Sequence, residues 1–123
     1  YLDKKKKTID VILRGYNFFA PTLTSAQEVF LGLSTGDMIL VNLNDGRITF
    51  VGEMKAPIVS TPFIRHGFYC AVSIEGRLHC YQRGKDEFKL AEEQEWQEVI
   101  SGVVTSINGK FYIPTRTGYR LVQ

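Results

Sequence analysis

Apolar residues in this chain fall in short runs separated by turn-forming residues. Val29 to Leu33 and Met38 to Leu43 flank Thr35-Gly36-Asp37, and Leu43 is followed by Asn44-Asp45-Gly46. An Asp-Gly step between apolar runs is a strong short-range turn signal, so this region predicts a meander of antiparallel strands. The run Phe68 to Val72 is apolar at nearly every position and does not alternate, which predicts a strand buried on both faces of its sheet.

The pattern recurs. Val29-Phe30-Leu31-Gly32-Leu33-Ser34-Thr35-Gly36, Phe68-Tyr69-Cys70-Ala71-Val72-Ser73-Ile74-Glu75-Gly76 and Lys110-Phe111-Tyr112-Ile113-Pro114-Thr115-Arg116-Thr117-Gly118 align on their last glycine, at steps of 40 and 42 residues. A second set of marks, Pro21, Pro62 and Val103, recurs at 41-residue steps. A period near 40 with short strands is the sequence signature of β-propeller blades, each a sheet of four antiparallel strands, a to d. In the first full unit strand a lies around Thr22 to Leu23, b over Val29 to Leu33, c over Met38 to Leu43 and d over Ile48 to Gly52. In the second they lie near Phe63 to Arg65, Phe68 to Ser73, Leu78 to Gln82 and Phe88 to Ala91. The third unit stops after strand c, at Arg120 to Gln123.

Before the first full unit, Tyr1-Leu2-Asp3 reads as the close of a strand c and Thr8 to Leu13 as a strand d, with the lysines in their turn. The chain thus reads as one all-β segment of about three blades: 1–14 ending a preceding blade, 15–54 and 55–95 full blades, and 96–123 an incomplete one. Three blades are too few to close a ring, since propellers carry about four to eight. The expectation is a part of a longer propeller or one completed by several copies, six blades closing from a dimer in which Thr8 to Leu13 of one copy completes the last blade of the other.

Leu33-Ser34-Thr35-Gly36-Asp37-Met38-Ile39-Leu40-Val41-Asn42-Leu43-Asn44-Asp45-Gly46-Arg47-Ile48 resembles the repeat of the pyrroloquinoline-quinone-like (PQQ-like) propeller family. Ser60-Thr61-Pro62-Phe63-Ile64 resembles the proline-containing lead into its strand a, and Glu75-Gly76-Arg77-Leu78-His79-Cys80-Tyr81 its b–c turn. Within that family the likeness is nearest to the last blades of the outer-membrane assembly lipoproteins. The resemblance implies a periplasmic or cell-envelope scaffold that contacts partner proteins through loops, with no catalytic residues and no cofactor. Quinoprotein dehydrogenases and PQQ-like sensor domains of larger signalling or synthetase chains are the alternatives within the family. The family places tryptophan at the end of strand d. Here Phe50 and Phe88 stand near those places, and the single tryptophan, Trp96, falls later.

Composition narrows the function further. A formal net charge of +2 does not single out nucleic acid as a partner, and no run approaches the roughly 18 uninterrupted apolar residues of a membrane span. His66 and His79 lack a metal-type partner at a recognisable spacing, and no serine sits in a nucleophile motif. Cys70 and Cys80 fall on neighbouring strands. A two-residue Glu75-Gly76 turn pairs Cys70 with Tyr81 and Ala71 with Cys80, placing the thiols on opposite faces, whereas a three-residue loop opposes them. Because a bridge across such a hairpin closes only a short loop, two reduced, buried thiols are expected.

The candidate contacts for a protein partner are therefore the aromatics Trp96, Tyr69 and Tyr112, with Phe111 beside them, and the basic rim Lys4, Lys5, Lys6 and Lys7. The lysine run sits between two strand signals, and a solvated turn accounts for it better than an anionic partner does. The acidic stretch Asp86 to Glu98, with Phe88, Leu90, Trp96, Val99 and Ile100 interspersed, reads as a short helix or a long d–a loop that offers a second protein contact.

Overall fold

Two-residue turns set the first hairpin of each later repeat. His66-Gly67 and Asn108-Gly109 have positive φ at both positions, 51° and 80° in the first and 51° and 77° in the second. That backbone matches the twist of the strands on either side, and Asn-Gly is the sequence that adopts it most readily. The structure, a computed structural model, describes residues 21–123. The strand expected over Thr8 to Leu13 and the run Lys4 to Lys7 lie outside the described residues.

Eleven strands form three antiparallel sheets, in each of which neighbours in sequence are neighbours in space. The first holds β1 (Thr22–Ser25), β2 (Glu28–Gly32), β3 (Asp37–Asn42) and β4 (Ile48–Glu53). The second holds β5 (Phe63–Arg65), β6 (Phe68–Val72), β7 (Arg77–Arg83) and β8 (Phe88–Glu95). The third holds β9 (Thr105–Ile107), β10 (Lys110–Thr115) and β11 (Gly118–Val122). These are propeller blades, two of four strands and one of three, and the described residues contain no helix.

Blades stack face on face through apolar clusters. Phe30, Met38, Leu40 and Val51 of the first blade meet Ala71 and Tyr81 of the second. On the second blade's other face, Cys70, Val72, Leu78 and Cys80 meet Phe111, Ile113 and Val122 of the third. A sheet packed on both faces explains why β6 reads as a continuous apolar run. Gly52 makes room for this packing, since a side chain there would overlap the Tyr81 ring.

The same stitch joins each blade to the next. In the b–c turn of the first blade, Gly36 N donates to Leu33 O (2.9 Å), and its own carbonyl accepts from Met54 N (2.9 Å) in the outgoing connector. In the second blade Gly76 N donates to Ser73 O (3.0 Å), and Gly76 O accepts from Trp96 N (2.8 Å). Each connector then bridges to strand b of the following blade, Ile58 to Ser73 and Ile100 to Thr115. Two side-chain links add to it. Val104 N donates to the buried Ser60 Oγ (2.7 Å), and Thr22 Oγ1 donates to Pro62 O.

Three expectations are corrected. Most of the acidic stretch is strand and none of it helix, because β8 runs from Phe88 to Glu95 and pairs with β7 from Arg83↔Phe88 to Arg77↔Glu95 across a bulge at Cys80/Tyr81, leaving only its two ends in loops. Its carboxylates find cations there, Glu92 with Arg65 (2.5 Å) and Glu95 with Arg77 (3.7 Å), which accounts for so acidic a strand. With β8 extended, Phe88 stands at the start of strand d and Trp96 is the residue next to its end. The β6–β7 loop has three residues, since Ser73 N donates to Arg77 O (2.9 Å), and Cys70 therefore faces Cys80. The two form a disulfide and are not reduced thiols.

Gly76 has φ 84°, and a Cβ there would overlap the carbonyl oxygens of Trp96 and Glu98, whereas Gly46 (φ 73°) has open space around it. Left-handed backbone alone costs an alanine roughly 1–2 kcal/mol. Gly76→Ala is expected to lose clearly more stability than Gly46→Ala in urea denaturation. Equal losses would mean that the connector does not constrain the turn.

Candidate contact surface

Alternation along β10 and β11 divides the third blade into a sealed face and an open one. Phe111, Ile113, Thr115 and Val122 turn toward the second blade and are buried. Tyr112 pairs with Leu121, and Pro114 with Tyr119, on the opposite face. There Tyr119 is 66% exposed and Leu121 44% exposed, and the rings of Tyr112 and Tyr119 lie 5.5 Å apart. The equivalent positions one blade earlier follow from the matching bridges at Ser73 and Thr115. They are Cys70, Val72, Leu78 and Cys80, each at most 1% exposed. Among the described residues no strand pairs with the outer edge of β11.

The sequence-selected aromatics divide between this face and the interior. Tyr112 belongs to the open face. Trp96 is 7% exposed in the cluster between the second and third blades, its Nε1 donating to Gln94 Oε1 (3.1 Å) and its ring lying under the Arg120 guanidinium. Arg120 is held by Glu98 (2.6 Å), which also accepts from Thr117 (2.8 Å), and these hydrogen bonds lower the Glu98 carboxyl below its ordinary range. Tyr69 is half-buried between Phe30 and Phe88 at edge-on distances of 5.4 and 5.2 Å. Above it, Arg83 reaches Glu28 of the first blade (2.9 Å), so this aromatic group serves the joint between blades. Phe111 stacks on Phe63 at 4.6 Å.

Tyr119 and Leu121 were missed by the sequence reading. Their signal is the alternation of Tyr119 and Leu121 against Arg120 in a strand whose outward face cannot be told from its inward face by pattern alone.

Elsewhere the chemistry is sparse. Among the described residues no group of three His, Cys, Asp or Glu side chains is placed to hold a metal ion. No helix among them is long and apolar enough to cross a membrane. An open cleft between β4 and the β7–β8 loop mixes Arg47, Arg83 and Lys85 with Asp86 and Glu87, leaving it without a dominant charge.

No family model matches this chain, and no curated protein matches it. Among solved structures it is similar to BamB from Moraxella catarrhalis, at 13% sequence identity and a TM-score of 0.43. The match covers 83% of this chain and 41% of that one, so the chain spans less than half the length of BamB.

Away from this surface, His79 is a buried titratable group opposite Ala71 on the second blade. It is buried on β7, neither ring nitrogen has a hydrogen-bond partner, and the Glu93 carboxylate stands 3.7 Å from Nε2. Burial lowers its pKa below the ordinary 6.5, Arg77 adding to the shift and Glu93 opposing it. A histidine whose folded-state pKa is depressed favours folding while neutral, so its contribution is present above pH 6.5 and is lost as pH falls through the folded value. Urea denaturation at pH 8 and pH 5 is expected to show a larger loss of stability on acidification for the wild type than for His79→Leu. An identical pH dependence in both would remove the assignment.

Proposed function

We propose that this chain is a non-catalytic, protein-binding scaffold of propeller blades, and that it binds through the open face and edge of its third blade. One observation carries the reading: Tyr119 and Leu121 are exposed at positions whose counterparts one blade earlier are sealed by the next sheet. The face is aromatic and aliphatic with little acid–base chemistry, which suits burial against another protein better than turnover of a substrate. Among the described residues no strand covers the outer edge of β11, and such an edge offers main-chain donors and acceptors to an incoming strand, the mode of recognition called β-augmentation.

A second copy of this chain is the partner we propose, completing the third blade and extending the arc toward a ring. An oxidising compartment such as the bacterial cell envelope is the proposed location. The Cys70–Cys80 bridge supports it, because disulfides persist in such compartments and are rare in the cytosol.

The test is the particle mass of Tyr1–Gln123 by light scattering over a concentration series, with Tyr119→Arg/Leu121→Glu beside it. The wild type is expected to exceed the 14.0 kDa of one chain as concentration rises, and the double variant to stay there. A wild type that remains at 14.0 kDa throughout would remove self-association through this face.

A further inference from the structure

We propose that the Cys70–Cys80 pair is a redox latch governing whether the third blade docks on the second. The two cysteines are directly opposed on β6 and β7, with Cα atoms 4.1 Å apart. Both are fully buried, and both lie on the face that the third blade covers. Trp96 and Ile100 of the connector and Phe111, Ile113 and Val122 of the third blade share their cluster. The bridge is thus inside a joint between blades, and the third blade is its lid.

Access follows from that burial. Disulfides form and break by attack of a thiolate on a disulfide sulfur through a mixed disulfide, so the attacking group must reach one of the two sulfurs. With neither exposed, exchange requires the third blade to lift. Oxidation therefore precedes docking. One cysteine thiolate attacks an acceptor disulfide, carried by a thiol–disulfide oxidoreductase or by oxidised glutathione, and one acceptor thiol leaves. The second cysteine thiolate then displaces the other acceptor thiol. In sum the pair gives up two protons and two electrons, and the acceptor becomes two thiols.

Reduction changes the fit of the joint. Bonded sulfurs approach far more closely than non-bonded atoms, which settle at about 3.5–4 Å. Two thiols opposed on one face need more room than the bridge, within a buried cluster that they share with Trp96, Phe111 and Ile113, and overfilled cores respond by shifting side chains and backbone. Here the shift moves the third blade outward and exposes the connector between Trp96 and Val104. Oxidised, the pair holds the joint closed; reduced, it loosens the joint. This device acts on docking of the third blade and is independent of what that blade binds on its open face.

The test uses the full chain refolded in a glutathione redox pair. Alkylation in denaturant followed by intact mass is expected to find no free thiol. Dithiothreitol is expected to reduce the bridge at least tenfold more slowly in native buffer than in urea. Once reduced, proteinase K is expected to cut between Trp96 and Val104 at least tenfold faster, and reoxidation with oxidised glutathione to restore resistance. Cys70→Ala/Cys80→Ala, which has no sulfur at the joint, is expected to be cut at a rate that dithiothreitol does not change. Free thiols after refolding, equal reduction rates in buffer and urea, or unchanged cleavage on reduction would each overturn the latch. So would a dithiothreitol response in the double alanine variant.

Discussion

The connector that leaves each blade has to pass directly beneath that blade's own b–c turn, and the rest of the arrangement depends on that crossing. At Gly36 and Gly76 the backbone is left-handed, and the space where a side chain would stand is filled by the connector's carbonyls. Glycine meets both demands at once, having no Cβ to strain or to clash. Once the connector is held there by Met54 or Trp96, its next residues fall into place beside strand b of the following blade, through Ile58 and Ile100. The repeat length near 40 residues is the length of chain needed to reach one crossing from the last.

Apolar contact, and not charge, holds the blades face to face. A fully buried side chain such as Phe30, Leu78 or Ile113 contributes on the order of 1.5–3 kcal/mol. An exposed ion pair contributes about 0–1 kcal/mol. Arg83–Glu28 is partly exposed, so its role is to orient the joint at the rim, where the guanidinium also lies over Tyr69 and Phe88. Arg65 acts in the same way between the second and third blades, donating to Glu92 and to the Gln123 carbonyl. The polar links set register while the clusters supply the cohesion.

The candidate surface is a product of the same rule of two buried faces. The second blade has an apolar face on each side, because it packs on the first blade with one and on the third with the other. The third blade uses one face on Cys70, Val72, Leu78 and Cys80 and presents the other, with Tyr112, Pro114, Tyr119 and Leu121, to solvent. Its chemistry is that of an interior, displayed outside. That is why an aromatic residue chosen for its type alone is an uncertain guide: Tyr112 lies on the open face, whereas Trp96, the most prominent aromatic in the sequence, sits inside a joint.

By itself the sequence determined the strands, their order and the period, since short apolar runs between Gly, Asn and Asp turns act over a few residues and need no distant partner. The unbroken apolar run Phe68 to Val72 also announced a sheet buried on both sides, and Asn108-Gly109 carried a hairpin signal as plain as Asp45-Gly46. Tertiary structure decided what depends on pairing across strands and blades. One extra residue in the β6–β7 loop turned Cys70 from Tyr81 to Cys80 and made a disulfide of two expected thiols. Cations on other strands let the acidic stretch extend β8 to Glu95, which in turn carried Trp96 into the core. Which face of the third blade stays open was settled only by stacking, because alternation marks two faces of a strand and does not say which of them a neighbour will cover.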